Sequence, residues 1–416
     1  MKFAKLLSVV LFAMMLISSV SFGQAIPSGT ARYEALGNSP FILDASIDMN
    51  NNPAWTVEYR NYAFGDLGRN NVNDFELSDQ WAGANFGISK DVNLGIVANK
   101  TESLWSAFST WNNNYLGDTL GVSAPIVPLK LLFGWKTSPN FALGVDASFA
   151  SWSSENSSTV SGSTSTLKKN SMTIGGTVGV IGKLNKTDWI EGAVDVKSNS
   201  YKWELSGPIN QTYDNDGGLQ MGAFTRGSFV VSKSLNLKLV PYLAFDMFGF
   251  DPKNSASTAS LNNYSWMNFM GGLGIDMPVL DDGFIAGGLS FGYHSYEDNL
   301  DGSFKYTANE FMLPEINMAI EWNFTEWLQG RLGYQRAVTS GDYKYEESVS
   351  GNTFENKNSF ASNPVQTIST GIGFQFGRFS LDGTVGEKFY KQSPYIVSGK
   401  TQDVFGVLSA SYNFAK

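Results

Sequence analysis

The chain has no cysteine, a single histidine and few charges: only 16% of its 416 residues are Asp, Glu, Lys or Arg. Without cysteine there is no disulfide framework, and a lipoprotein anchor, which needs a cysteine after its leader, is excluded. A soluble domain carries about 25% charged residues, so the low charge argues against an ordinary water-exposed surface. Beyond the N-terminus no stretch reaches 18 consecutive apolar residues, which leaves the mature chain without a helical membrane span. The net charge is -9 and the basic residues are scattered, so no nucleic-acid-binding pattern is present.

Glycine and aromatic residues are abundant instead. The first 23 residues read as a secretory leader. Lys2 and Lys5 are its positive region, residues 6–17 its apolar core, and Ser21-Phe22-Gly23 its small-residue cleavage site before Gln24.

The dominant pattern is alternation. In residues 170–204, Met172, Ile174, Val178 and Val180 share one parity, with Thr173, Gly175, Thr177 and Gly179 on the other. A polar turn follows at 183–188. Ile190, Val194 and Val196 then alternate with Glu191, Asp195 and Lys197. Side chains of a strand point alternately to opposite faces, so this is a two-faced hairpin with strands longer than the usual five or six residues. Short turns recur near Lys90, Ser138, Asn185, Lys233, Asp281, Phe324 and Gly377. Their spacing of roughly 47 residues suits two membrane-crossing strands and one long loop.

The expected fold is all-β: a transmembrane antiparallel barrel of about 16 strands, with 14 as the rival count. Short periplasmic turns lie at one end. Polar loops at 101–125, 153–169, 206–217, 252–263, 299–308 and 343–363 lie at the other, facing outside. The domain division is leader 1–23, arm or plug 24–54 and barrel 55–416, with the first strand at 55–64. A secreted, cysteine-free, alternating chain points to the bacterial outer membrane, with lipid as its surroundings.

Parity also sorts the charges. A charge on the lipid face at mid-membrane costs about 2–4 kcal/mol, so Glu58, Arg60, Asp146, Glu191, Asp195, Lys197, Lys238, Asp246, Glu315, Glu321, Arg331 and Asp382 should line the lumen. Acids exceed bases there, which favours cations if the lumen conducts; the alternative is an ion-pair network that only stiffens the wall. Trp189, Trp322 and Trp327 near the short turns, and Trp152, Trp203 and Trp266 near the other ends, predict two interfacial girdles.

Residues 24–54 break the alternation. They contain Ala31-Arg32-Tyr33-Glu34-Ala35-Leu36-Gly37, then Asp44-Ala45-Ser46, then Asn52-Pro53-Ala54. This order resembles the N-terminal signature of FadL-like and PorV-like outer-membrane barrels, although Trp55 stands where those families usually carry glycine. The resemblance implies a plug or hatch inside or beneath the barrel, here carried by Leu36, Asn52, Pro53 and Ala54. Leu36, Phe41, Ile42 and Leu43 could meet a hydrophobic ligand or pack on the wall. The aromatic last strand, with Tyr412 and Phe414, resembles the signal read by the barrel-assembly machinery, although Ala415-Lys416 trails it.

No motif supports catalysis, and neither metal nor cofactor is expected. His294 shares an inward face with Ser290 and Asp298, but residues four apart on a strand stand about 13 Å apart, too far for a triad. Asp214-Asn215-Asp216-Gly217 lacks the later ligands of a calcium loop, and Gly175–Gly179 lacks the Lys-Ser/Thr of a phosphate loop. Two function classes remain. One is a FadL-like channel for small or hydrophobic compounds. The other is a non-transporting barrel, as a PorV-like secretion-system partner or a structural surface protein.

Overall fold

In the computed structural model, residues 29–70, 75–76, 80–100, 126–208, 210–254, 263–279, 282–300, 304–349, 352–361, 365–385 and 405–414 are described. The expected leader, the 101–125 loop and the chain's last two residues lie outside them. The described chain is a closed antiparallel barrel of 16 strands. We number these β1 (Tyr62–Asn70), β2 (Phe75–Glu76 continued by Trp81–Gly87), β3 (Val92–Ala98), β4 (Ile126–Ser138), β5 (Phe141–Val160), β6 (Ser163–Lys183), β7 (Trp189–Ser206) and β8 (Gln211–Ser232). The second half is β9 (Leu237–Asn254), β10 (Asn263–Val279), β11 (Gly283–Leu300), β12 (Phe304–Thr325), β13 (Leu328–Ala337 and Thr339–Val349), β14 (Asn352–Ala361 and Val365–Phe376), β15 (Phe379–Val385) and β16 (Phe405–Asn413). Each strand pairs with its neighbours in sequence, and β1 closes on β16, with Gly65 opposite Ala410. Closure removes every free edge within the membrane.

The outer face decides the class. Leu131, Phe133, Val145, Ile174, Val178, Val194, Leu273 and Met318 are each 41–57% exposed on the bare barrel. They form a continuous apolar band that water would not tolerate and lipid covers. No described helix is long and apolar enough to cross a membrane. This is an outer-membrane β-barrel.

Three expectations need correction. The stretch expected as the first strand is instead a 3-10 helix, Pro53–Val57. The Asn52 side chain accepts from the Ala54 N–H, and Pro53 sits in the first turn, where its missing N–H costs nothing. Asn61, at φ 60°, then turns the chain into β1. The strand count is unchanged because β1 starts at Tyr62.

Second, the polar stretches are largely strand where they are described. β5 and β6 run 20 and 21 residues, about twice what crosses a bilayer, and meet in a turn at Ser161 and Gly162, whose φ values are 51° and 80°. Both positive angles suit the twist of a two-residue hairpin. Hydroxyls pair across this tall hairpin, Ser157 with Thr166 and Thr159 with Thr164, which lets serine and threonine serve as strand residues where no lipid demands apolar ones. A peptide tag inserted at Ser161-Gly162 is expected to label on intact cells, and one at Asn185-Lys186 only after lysis. The reverse labelling would invert the barrel.

Third, Trp203, Trp152 and Trp266 do not form an outer girdle. They join Tyr201, Phe248, Phe250, Tyr264 and Tyr296 in one cluster on the inner wall toward the long-strand end. Trp189 also turns inward, its ring 5.3 Å from that of Trp55.

Candidate functional site

Residues 29–60 fill the short-turn end of the lumen. Two short helices, α1 (Ala31–Ala35) and α2 (Ala45–Asn51), precede the 3-10 helix. Asp44 caps α2, accepting from the Ser46 and Ile47 N–H groups, which fixes its start as a cap residue should. Ala31, Ala35, Leu36, Ala45 and Ala54 have no exposed surface.

The wall is cut to receive this segment. A methyl group placed on Gly144 would lie 2.0 Å from Ala54 N, one on Gly179 2.0 Å from Asn52 Oδ1, and one on Gly333 2.2 Å from Gly37 N. Phe41 enters a second recess, lying within 3 Å of the Cβ that Gly272, Gly274 or Gly288 would carry. These inward glycines are a seat. A Gly179→Val variant keeps the strand, for which valine is well suited, and should displace Asn52. We expect faster proteolysis of residues 29–60 with unchanged heat-modifiable gel mobility; equal protease resistance would show that the seat tolerates the extra bulk.

Polar bonds fasten what the glycines admit. At the seam, Asp66 accepts from the Thr30 N–H at 2.8 Å and from the Trp81 indole at 2.6 Å, and Ser409 accepts from the Ala31 N–H at 3.0 Å. On one side Arg32 donates to Glu321 at 2.9 and 3.2 Å, and also to Asp44 at 3.1 Å. Arg331 shares Glu321 at 2.6 Å and reaches Asp382 at 2.5 Å. On the other side Arg226 donates to Glu191 at 2.7 Å, to Asp48 at 2.5 Å and to the Ile42 carbonyl at 2.9 Å. Glu191 completes its shell with Asn52 at 2.9 Å and the Trp55 indole at 2.6 Å. Burial pushes the Asp48 carboxyl up despite the Arg226 guanidinium beside it, and the Glu191 carboxylate adds to the rise. Asn85 and Asn93 of the wall each donate to the Thr56 carbonyl at 2.7 Å, and Lys130 donates to Asn50 O at 3.0 Å. Wall side chains thus satisfy helix-end carbonyls that would otherwise be orphaned.

No family model matches this chain, and no curated protein matches it. Among solved structures it is similar to a FadL homologue of Pseudomonas aeruginosa, at 12% identity and a TM-score of 0.40, with 94% of this chain and 100% of that one covered. It is also similar to BauA, the ferric preacinetobactin receptor of Acinetobacter baumannii, at 8% identity and a TM-score of 0.35, covering 85% of this chain and 79% of that one. The likeness goes no further than a large closed barrel.

The expected lumen-lining residues divide into three groups. Glu191 and Glu321 hold residues 29–60 directly, Arg331 acts through Glu321, and Asp382 through Arg331. Asp146, Asp195, Lys197 and Asp246 lie higher, and Lys238 and Glu315 make wall contacts, to Asp276 at 3.3 Å and Asn317 at 3.2 Å. Glu58 and Arg60 are not residues of the barrel wall, because β1 starts after them. Glu58 pairs with Lys183 at 2.8 Å, and Arg60 donates to the Lys90 carbonyl at the short-turn rim. Leu36, Phe41 and Ile42 are buried against the wall and offer no open apolar patch.

Between residues 29–60 and the aromatic cluster lies a cavity of about 360 Å³. Tyr33, Asp48 and Asn50 form its floor, and Lys130, Asp195, Lys197, Gln220, Tyr242 and Asp246 are among its wall residues. Asn50, Lys100, Lys130 and Lys197 also border a narrow cleft of about 20 Å³ that reaches the outward-facing Leu129 and Phe149. The β4–β5 ladder skips residues 127 and 128 beside it, where Pro128 has no N–H to give. The cleft has room for about one water, so the wall is shut there.

Proposed function

We propose that the protein passes a small polar solute across the outer membrane, with residues 29–60 as its gate. The observation that carries this is the cavity of about 360 Å³, floored by that segment and walled by charged side chains. A barrel kept only as scaffold has no need of an unfilled, charged chamber at mid-lumen. The Arg226, Glu321 and seam contacts hold the floor in place, so passage requires local displacement of residues 29–60 while the wall stays intact. The lining favours a polar solute over an apolar one, because Asp48, Lys130, Asp195, Lys197, Gln220 and Asp246 border the chamber, whereas Leu36, Phe41 and Ile42 of the segment are buried against the wall.

The test is solute uptake into liposomes carrying the purified full-length protein, alongside ion conductance in planar bilayers. Small polar solutes should enter faster than into protein-free liposomes, and Gly179→Val should raise both uptake and conductance. If uptake stays at the protein-free level for both proteins while gel mobility reports folded barrels, the non-transporting barrel becomes the better account.

A further inference from the structure

Resting on that reading, we propose that the cavity is a binding site for a small zwitterion, a molecule bearing one ammonium and one carboxylate group. The charges of the chamber are sorted in space. On one side, Asp195 of β7 and Asp246 of β9 both stand opposite Gly222 of β8. A methyl group on Gly222 would lie 2.1 Å from Asp195 Oδ1 and 2.9 Å from Asp246 Oδ1. The two carboxylates therefore converge over bare backbone at the cavity wall. Gln220 donates to Asp195 at 3.3 Å, while Asp246 makes no hydrogen bond among the described residues.

Toward the cleft stand Lys100 and Lys130, with Lys197 between them and the carboxylates, on β7 two residues along from Asp195 and with Asp246 as its charge neighbour. Lys130 is engaged with Asp146 at 3.6 Å and with Asn50 O. The Lys100 ammonium lies 4.3 Å from the centre of the Trp81 ring and has no hydrogen-bond partner among the described residues. Asp48 and Arg226, also at the cavity, are committed to each other and to Glu191. What faces the chamber is thus a pair of converging carboxylates at one end and ammonium groups ranged toward the cleft at the other, Lys197 adjoining the carboxylates and Lys100 farther along. A lone cation would meet the lysines and a lone anion the aspartates. A zwitterion in one orientation meets both with opposite charge, and like-charge juxtaposition is what gives such a site its selectivity.

An isosteric series tests this: alanine, propionate (no ammonium), ethylammonium (no carboxylate) and propionamide (neutral). Binding is measured by saturation-transfer NMR on the full-length protein in detergent micelles. Alanine should bind at least tenfold more tightly than each of the other three. In a D195N/D246N variant alanine should weaken about tenfold while propionate holds or improves. In a K100M/K197M variant alanine should weaken while ethylammonium holds or improves. A general packing defect would weaken all ligands alike. The inference fails if propionate or propionamide matches alanine, if no ligand binds, or if both variants leave the alanine affinity unchanged. Should a variant not fold, the wild-type series decides alone. Because binding is read without flux, loss of this inference leaves the uptake result standing, and loss of uptake leaves the binding result standing.

Discussion

Removing residues 29–58 should turn a nearly closed barrel into a conducting one. A barrel of 16 strands leaves an aqueous channel unless something fills it, and here the filler is a separate segment rather than the wall's own side chains. The wall should survive the loss. Glu191 keeps Arg226, and Glu321 keeps Arg331, which keeps Asp382. No buried guanidinium is left without a carboxylate. Backbone pairing from β1 to β16 does not involve the deleted residues. Stepwise conductance in planar bilayers is the expected result, with cations weakly favoured because Asp66, Asp146, Glu191, Asp195, Asp246, Glu315, Glu321 and Asp382 outnumber Lys100, Lys130, Lys197, Arg226, Lys238 and Arg331. The aromatic cluster of Tyr201, Trp203, Phe248, Phe250 and Tyr264 limits the effect. If conductance stays at baseline with the barrel folded, that cluster alone seals the lumen and residues 29–60 are no gate.

The second large effect is expected from Arg226→Met. This guanidinium joins Glu191 of the wall to Asp48 and the Ile42 carbonyl of the segment. Removing one member of a buried pair costs about 3–5 kcal/mol, because the remaining charge is left desolvated and alone. Two carboxylates, Asp48 and Glu191, would then face each other. At about 1.4 kcal/mol per factor of ten, the open population should rise a hundredfold or more. The chain has no cysteine, so an Ala45→Cys reporter, at a position with no exposed surface, reads opening directly as thiol labelling rate. Adding Asp48→Asn and Glu191→Gln to Arg226→Met should recover much of the protection by removing the unpaired charges. Unchanged labelling in the single variant would show that Arg226 does not hold the segment.

The barrel was legible because lipid enforces a rule at every crossing. A residue such as Ile174 or Val194 must be apolar and its neighbours need not be, so the period of two is written plainly into 170–204. The start of β1 was not legible by that rule. Trp55, Val57 and Tyr59 alternate with Thr56, Glu58 and Arg60 like a strand, and only Asn52-Pro53 and Asn61 mark a capped turn of helix. The polar stretches at 153–169 and 343–363 read as loops because strands above the membrane lose the apolar half of the alternation. Trp203 was misplaced although it shares parity with Glu191 and Asp195; its place at a strand end drew it to the interface.

The site was half visible. Glu191, Glu321, Arg331 and Asp382 were found because a charge amid apolar neighbours must face inward. Arg226 and Lys130 satisfy the same rule and were missed. Arg226 sits where glycine and alanine blur the alternation, and Lys130 inside Leu129-Lys130-Leu131-Leu132. Nothing in the sequence could have paired Arg226 with Asp48, since the two lie 178 positions apart. The seat glycines Gly144, Gly179 and Gly333 carry no sequence signal of their own, and only the docked segment explains where they fall.

The contact at Asp66 and Ser409 bears on the order of assembly. Thr30 and Ala31 need both residues, and these belong to the first and last strands, 343 positions apart, with Ser409 donating to Asp66 at 2.5 Å. The two halves of that anchor exist together only when β1 and β16 lie side by side. A chain still open at the seam offers the segment half an anchor, and the loop that must close to supply the rest is the longest in the protein, with the greatest entropic cost. Seating of the segment is thus a late event that follows closure, and a seated segment reports that the cylinder behind it is complete.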